Sequence, residues 1–135
     1  MITSKQKKLR IDLTVAAHYH GISIYRLRKF IAAVLAECAL DSGFVSFCFV
    51  TNPQIKQLNR RYKNHNRYTD VLAFPLSTSS IPGIRKRNTN TIEGEIVISF
   101  DQAVKNAKRF CTSFEHEVRL YIVHGILHLL GYTDT

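Results

Sequence analysis

Apolar and polar residues alternate in two patterns along this chain, and each pattern predicts one type of secondary-structure element. Short runs rich in β-branched and aromatic residues predict four strands. These runs are Ile11 to His18, Phe44 to Val50, Thr69 to Leu76 and Gly94 to Ser99. The run from Phe44 has almost no polar face, so we expect that strand to be buried on both sides. The run from Thr69 should end at or near Pro75, because proline cannot donate a hydrogen bond to a neighbouring strand.

Apolar residues at three- and four-residue spacings predict four helices between and after the strands. The residues expected at their N-termini are Ser23, Asn52 with Pro53, the pair Ser99 and Gln102, and the pair Thr112 and Glu115. The first helix should stop before Asp41, and the second should run through Tyr62. Apolar residues occupy most of the circumference of the last helix, so we expect it to lie at the centre of the fold.

This order of elements predicts an α+β single domain over residues 1–135, with helices around a four-stranded mixed sheet. A chain of this length buries enough apolar surface to fold as one unit. Residues 77–93 combine Ser, Thr, Asn, Gly and Pro with three consecutive basic residues. We therefore expect an exposed, mobile loop in that segment.

The charge balance indicates which partners the protein attracts. There are 19 Lys and Arg against 10 Asp and Glu, a net charge of +9. Such a field favours RNA, DNA or an anionic membrane surface. No apolar run has the length of a membrane span, and no apolar region of the secretory type follows the basic N-terminus. We therefore expect a cytoplasmic protein that does not span a membrane. Cys38, Cys48 and Cys111 have no CxxC spacing and lie in apolar stretches, so we expect buried thiols.

The string HGILHLLGYTD near the C-terminus has the spacing of a metal site. His124 and His128 are four residues apart, so an α-helix of about 3.6 residues per turn presents both imidazoles on one face. Gly131 lets the chain leave the helix, and Asp134, ten residues after His124, can bring a third ligand from a turn. This layout resembles the zinc-protease motif HExxHxxGxxH, but Gly125 replaces the glutamate base and Asp134 replaces the third histidine. We therefore predict a metal site without protease chemistry.

Zinc, one ion per chain, is the first choice for this site, because imidazole and carboxylate ligands suit it; nickel, manganese and iron remain alternatives. Three protein ligands leave one position open, where bound water acquires a pKa of about 7. Glu117 and Tyr121 share a helix stripe with the two histidines. Glu117 lies about 10 Å from His124 along the helix axis, too far to replace the missing base. It is either the partner of a buried base or an ordinary first-turn glutamate.

A second cluster occupies the end of the second helix and the residues after it. Its members are Lys56, Arg60, Arg61, Tyr62, Lys63, Asn64, His65, Arg67 and Tyr68. Cations position phosphates and unpaired bases stack on aromatic rings, so this cluster suits single-stranded RNA. A solvated basic face on a helix of a basic protein is the alternative interpretation.

Three motifs, HGILHLLGY, TDVLAFP and GEIVIS, resemble those of the YbeY family of bacterial endoribonucleases and ribosomal RNA maturation factors. The resemblance extends from the LNRRYK segment to the end of the chain. In that family the motif HGxLHLxGYDH supplies three histidine ligands for zinc. His124 and His128 match two of these residue for residue, and Asp134 matches the third by position.

The chain departs from the family pattern in several places. Lys63 stands where the family has an arginine considered functionally important, and lysine keeps the charge but not the two-pronged grip on phosphate. Ala73 replaces the serine of TDVLSFP, and Glu95 replaces the aspartate of GDIVIS. Family members usually continue into a C-terminal helix, so the resemblance implies that this helix is missing or truncated here.

The resemblance implies a single-strand-specific, zinc-dependent endoribonuclease that matures the 3′ end of small-subunit (16S) ribosomal RNA and acts in ribosome quality control. Its partners would be single-stranded RNA, ribosomal RNA and the small ribosomal subunit. Lys63 would be the catalytic residue that neutralises developing charge, while the general base and the oligomeric state stay unassigned. Two alternatives remain: a non-catalytic ribosome-assembly factor with a structural metal, and a metallopeptidase, which Gly125 disfavours.

Overall fold

The elements of the described structure confirm the predicted α+β class. The computed structural model describes residues 8–16, 21–63, 69–76 and 90–132. In chain order its elements are β1 (Lys8–Val15), α1 (Ile24–Glu37), β2 (Ser42–Val50), α2 (Asn52–Lys63), β3 (Val71–Pro75), β4 (Thr91–Ser99), α3 (Phe100–Phe110) and α4 (Phe114–Leu129). None of the helices in these ranges combines the length and the apolarity that a membrane crossing requires.

The strands form one mixed sheet in the order β1-β2-β4-β3. β1, β2 and β4 are parallel, and β3 runs antiparallel to β4. Parallel neighbours require a crossover, and α1 provides it between β1 and β2. Among the described strands, β3 lies at one edge of the sheet. It ends at Pro75, opposite Gly94, as predicted from the proline. The predicted four-stranded mixed sheet is confirmed.

The two faces of the sheet carry different helices. Alternate strand residues such as Phe47 and Ile96 enter a core shared with α1, α3 and α4. The opposite face carries Leu72 and Val97, which pack against Ile55 of α2. α4 contributes Val118, Ile122 and Ile126 to the larger core, and each of these is fully buried. The last helix is therefore as central as its apolar circumference predicted.

β2 does not have the burial on both sides that was expected. Phe47 and Phe49 are fully buried, whereas Phe44 and Ser46 on the other face are half-buried. The apolar cluster on that second face is small and includes Val50 at the end of β2. The prediction was wrong because one short helix covers less of the strand than a full layer of helices would.

β4 begins earlier than predicted. Thr91 is already paired with Ser42, and Ile92 is 1% exposed in the core. The expected loop over residues 77–93 was therefore too long at its C-terminal end. Residues 77–89 lie outside the described ranges.

β1 begins and ends three residues before its predicted limits. It pairs residue by residue with β2 from Lys8, opposite Ser42, to Val15, opposite Phe49. This parallel register decides its length, which the composition of β1 alone could not reveal. The predicted end at His18 lies outside the described residues.

Helix caps follow the prediction at two helices and differ at two. The hydroxyls of Ser23 and Ser99 accept hydrogen bonds from backbone N–H groups of α1 and α3, as expected. α4 is capped by Ser113 and not by Thr112. At the start of α2, Thr51 is paired with the Gln54 side chain. In both wrong cases two neighbouring residues can cap a helix. Asn52 is instead engaged with residues at and after the end of β4, and Thr112 with Glu117 of α4 itself.

The three cysteines are less buried than expected. Cys38 and Cys48 are half-buried, Cys111 is exposed, and all three are free thiols. Cys111 ends α3 in the left-handed conformation, with a φ of 57°, which places it at a surface turn. Burial raises the pKa of the Cys48 thiol, and the charge of Glu95 raises it further.

Candidate metal centre

Two glycines set the position of α4 against the sheet. A Cβ atom added to Gly125 would lie 2.6 Å from Cγ2 of Ile96. A Cβ added to Gly94 would lie 2.6 Å from Cδ2 of Leu129. Such distances are far inside van der Waals contact, so α4 can pack this closely on β4 only with glycine at both places. Position 125 therefore faces the sheet.

The histidines occupy the flank of α4 that is turned away from α1. The opposite flank contacts α1, where the Arg119 guanidinium lies 4.8 Å from the centre of the Phe30 ring. Glu115 binds Arg26 of α1 at 3.2 Å. At about 100° per residue, His124 and His128 lie nearly half a turn away from Arg119. Because α4 packs on β3 and β4, the histidine flank lies on the side of the terminal strand β3.

The two imidazoles are arranged side by side. Their ring centroids are 6.4 Å apart and their planes differ by 15°. His124 is exposed and His128 is half-buried. Nδ1 of His128 is buried and has no hydrogen-bond partner among the described residues. A buried ring nitrogen in that state is a group that a bound ion or water can satisfy.

The structure brings together two of the four predicted site residues. Asp134 lies outside the described residues, and so does the side chain of Lys63, whose backbone ends α2. Within the described ranges, no three His, Cys, Asp or Glu side chains are grouped closely enough to hold a metal ion. The predicted roles of Asp134 and Lys63 therefore stay predictions.

The upstream half of the stripe is a buried polar network. Glu117 is 3% exposed, and the hydroxyl of Thr112 donates a hydrogen bond to its Oε2 at 2.5 Å. The Asn106 amide donates to the Tyr121 hydroxyl at 2.6 Å. Burial raises the pKa of Tyr121 to about 12, against the lowering effect of the Asn106 bond; the charges of Asp70 and Glu117 raise it further. Glu117 is thus a buried first-turn residue that ties the start of α4 to the residues before it.

A further polar network was missed in the sequence. Asn52 accepts a hydrogen bond from the Ser99 hydroxyl at 2.7 Å and donates one to the Gln102 side chain at 3.1 Å. Its backbone N–H also donates to Asp101 at 2.7 Å. The sequence could have predicted this network, because polar residues follow both β2 and β4. The carboxyl ends of parallel strands lie at the same end of a sheet. This network joins the N-termini of α2 and α3.

Basic and aromatic residues of α2 lie on the other face of the sheet. Arg60 and Arg61 are exposed, and Tyr62 is 60% exposed. The Tyr62 ring contacts Phe74 of β3 with 5.8 Å between ring centroids. This part of the predicted RNA-binding cluster is therefore a surface that a partner can reach. Residues 64–68 lie outside the described ranges.

Comparisons with known proteins agree with this fold and these motifs. The family described as endoribonuclease YbeY matches residues 12–135. The endoribonuclease YbeY of Alkaliphilus metalliredigens is 35% identical over 135 residues, covering 98% of this chain and 79% of that protein. The one from Clostridioides difficile is 36% identical over 104 residues, covering 73% of this chain and 67% of that protein.

A solved structure is similar as well. The solution structure of TM1509 from Thermotoga maritima superposes with a TM-score of 0.61 at 26% identity, covering 93% of this chain and 75% of that chain. The sequence match begins within β1 and includes the other three strands, the basic helix α2 and the histidine helix α4. The chain belongs to the endoribonuclease YbeY family.

Proposed function

We propose that this protein is a zinc-dependent endoribonuclease in which His124, His128 and Asp134 hold one metal ion per chain. The observation that carries the proposal is the histidine pair itself, with near-parallel imidazoles and a buried, unpartnered Nδ1 on His128. Two imidazoles and one carboxylate form a donor set that suits zinc. The family match supports cleavage of RNA as the reaction.

The proposed metal ligands come from two parts of the chain, α4 and the segment that follows it. α4 fixes the spacing of the two imidazoles, because both side chains leave the same flank of one helix. Asp134 adds a carboxylate from the segment after the helix. A zinc ion held by these residues would lower the pKa of a bound water to about 7 and would polarise a phosphate oxygen.

The structure disfavours the alternative of a metallopeptidase. A protease of the HExxH type needs a glutamate beside the first histidine. In this chain that position is Gly125, which is buried against Ile96 with no space for a side chain. A glutamate there could not reach the solvent side of the histidine pair.

Single-stranded RNA is the proposed substrate, specifically the 3′ end of small-subunit (16S) ribosomal RNA, with a role in ribosome quality control. Bacterial ribosomal RNA is matured in the cytoplasm, so we place the activity there, with the small subunit as partner. The support is the family match and the net charge of +9, which attracts a polyanion. Purified protein should cleave an unpaired oligoribonucleotide and spare the same strand in a duplex. A non-catalytic assembly factor would bind both the unpaired oligoribonucleotide and the duplex without cleaving either.

Lys63 is the proposed contact to the RNA phosphate near the scissile bond. Lys63→Ala should weaken RNA binding more than Lys105→Ala does; Lys105 is an exposed lysine on α3. Lys63→Ala should also lower the slope of log Kd against log salt by about one, the contribution of one phosphate contact. Lys63→Arg should retain or increase binding, since arginine grips phosphate with two N–H groups. Fluorescence anisotropy with a labelled oligoribonucleotide at several salt concentrations measures these effects. Equal losses in the two alanine variants would reduce Lys63 to general basic surface.

Asp134 is the proposed third ligand. Asp134→Ala should lower zinc affinity by at least about ten-fold, because only two protein ligands remain. Asp134→His should raise the affinity, because it restores the three-histidine pattern of the family. Competition with a chromogenic zinc chelator measures both constants. Parental affinity in Asp134→Ala would show that the third ligand is another group.

A further inference from the structure

Tyr62 at the end of α2 is an exposed aromatic ring held by two neighbours. It is 60% exposed, although its ring packs edge to face with Phe74 at a centroid distance of 5.8 Å and an interplanar angle of 76°. The guanidinium carbon of Arg61 lies 5.9 Å from the Tyr62 ring centre. These two contacts limit the orientations of the ring. A large part of an oriented aromatic surface is therefore open to a ligand.

The charge around Tyr62 favours a nucleic acid strand as that ligand. α2 carries four basic residues and no acidic one. Arg60 and Arg61 are exposed, and neither forms an ion pair in the part of the chain that the structure describes. A basic surface beside an exposed aromatic ring is a combination that binds unpaired bases, because the cations follow the backbone and the ring stacks on a base. A duplex already stacks its bases internally and cannot use the ring.

Tyr62 and Leu129 of α4 approach the same end of β3 from opposite faces of the sheet. Phe74, which holds Tyr62, belongs to the cluster beneath α2. The carbonyl oxygen of Phe74 would lie 2.8 Å from a Cβ added to Gly94, which is also where Leu129 of α4 touches the sheet. Leu129 directly follows His128. β3 is the terminal strand of the described sheet, so the shortest route between the two sites passes around its edge.

We infer that Tyr62 is a stacking platform for one unpaired RNA base, and that the bound strand crosses the edge of β3 from this platform to the histidine pair. This inference rests on the proposed function and deepens it. Tyr62 is a positioning residue: it holds a nucleotide at a fixed distance from the scissile bond and does not touch the reacting atoms. The ring would thereby set the register of cleavage and contribute to the preference for unpaired RNA.

The test measures binding separately from cleavage. A labelled single-stranded 2′-O-methyl oligoribonucleotide is titrated with zinc-loaded protein, and a gel confirms that the strand stays intact. Tyr62→Ala should raise Kd by about 5-fold to 100-fold, the usual effect of losing one base–aromatic stack. The slope of log Kd against log salt should stay unchanged, whereas Arg60→Ala should lower it by about one. Tyr62→Phe should bind as the parent does, because the aromatic face is retained.

Matched controls separate stacking from general surface effects. Tyr25 of α1 is 68% exposed and has the Lys29 ammonium 5.4 Å from its ring centre, so Tyr25→Ala removes a comparable tyrosine elsewhere. Tyr62→Leu keeps apolar contact with Phe74 without an aromatic face, and it should bind as weakly as Tyr62→Ala. Equal binding by Tyr62→Ala and Tyr25→Ala, or parental binding by Tyr62→Leu, would overturn the inference.

The register of cleavage is tested with a set of cleavable strands, each of which carries one base-free nucleotide at a different position. In the parent protein, the missing base should weaken binding most when it lies at one fixed offset from the cleaved bond. In Tyr62→Ala, the position of the missing base should no longer affect binding in this way. A position dependence that survives in Tyr62→Ala would contradict the platform. If the parent fails to cleave any strand, the proposed function fails, while the binding comparison still decides whether Tyr62 stacks on a base.

Discussion

Replacing both His124 and His128 by alanine is expected to remove bound zinc and to lower RNA cleavage by at least about one-hundred-fold. The two imidazoles are the described part of the proposed donor set, and their loss leaves a single carboxylate ligand. Metal-assisted hydrolysis supplies several kcal/mol of transition-state stabilisation, and each tenfold in rate corresponds to about 1.4 kcal/mol. Elemental analysis and a cleavage assay on the same preparation measure the two losses together.

His116→Ala is the matched control for that double variant. His116 is an exposed histidine in the first turn of α4, roughly 12 Å before His124 along the helix axis. It should keep parental zinc content and cleavage. A double variant that still holds one zinc per chain would contradict the assignment of the ligands, and one that cleaves at the parental rate would contradict their role in the reaction.

Gly125→Ala is expected to lower the free energy of unfolding by roughly 1–3 kcal/mol, because the new methyl group overpacks the interface of α4 with β4. The added Cβ would lie 2.6 Å from the side chain of Ile96, which is fully buried and can shift little. Gly125→Glu should be more destabilising still, since it also places a carboxylate in the core. Urea unfolding followed by circular dichroism measures these differences.

A double-mutant cycle identifies the cause of the Gly125 effect. Ile96→Ala removes the atoms that the new methyl group would meet, at the expense of a cavity. If steric conflict is the cause, Gly125→Ala should destabilise the Ile96→Ala protein much less than it destabilises the parent. Additive losses would assign the effect to another source, such as a shift of the whole helix.

Periodicity predicted most of the fold, because strand and helix patterns report which side chains meet a core. The four strands, the four helices and the mixed sheet all followed from it. Element ends were predicted less well. β1 takes its length from pairing with β2, and Ser113 caps α4 because Thr112 is engaged with Glu117. Such choices depend on partners that are distant in the sequence or compete locally.

The candidate site was predictable to the extent that it lies on one helix. Spacing alone placed His124 and His128 on a common flank, and the structure brings their rings together. The spacing could not indicate that this flank borders β3, since that depends on the contacts of the opposite flank with α1 and on the packing of α4 over β3 and β4. It also could not place Tyr62 against Phe74, a contact between separate elements.

If the histidine pair holds the metal ion on which RNA cleavage depends, the cleavage rate should follow the zinc content of the protein. The most direct measurement is a titration of zinc into metal-free protein, in which the cleavage rate of a single-stranded oligoribonucleotide is followed. We expect no cleavage before zinc is added and a rate that saturates at one zinc per chain, with no response in the His124→Ala, His128→Ala variant. Cleavage by the metal-free parent, or an equal zinc response in the double variant, would contradict the account.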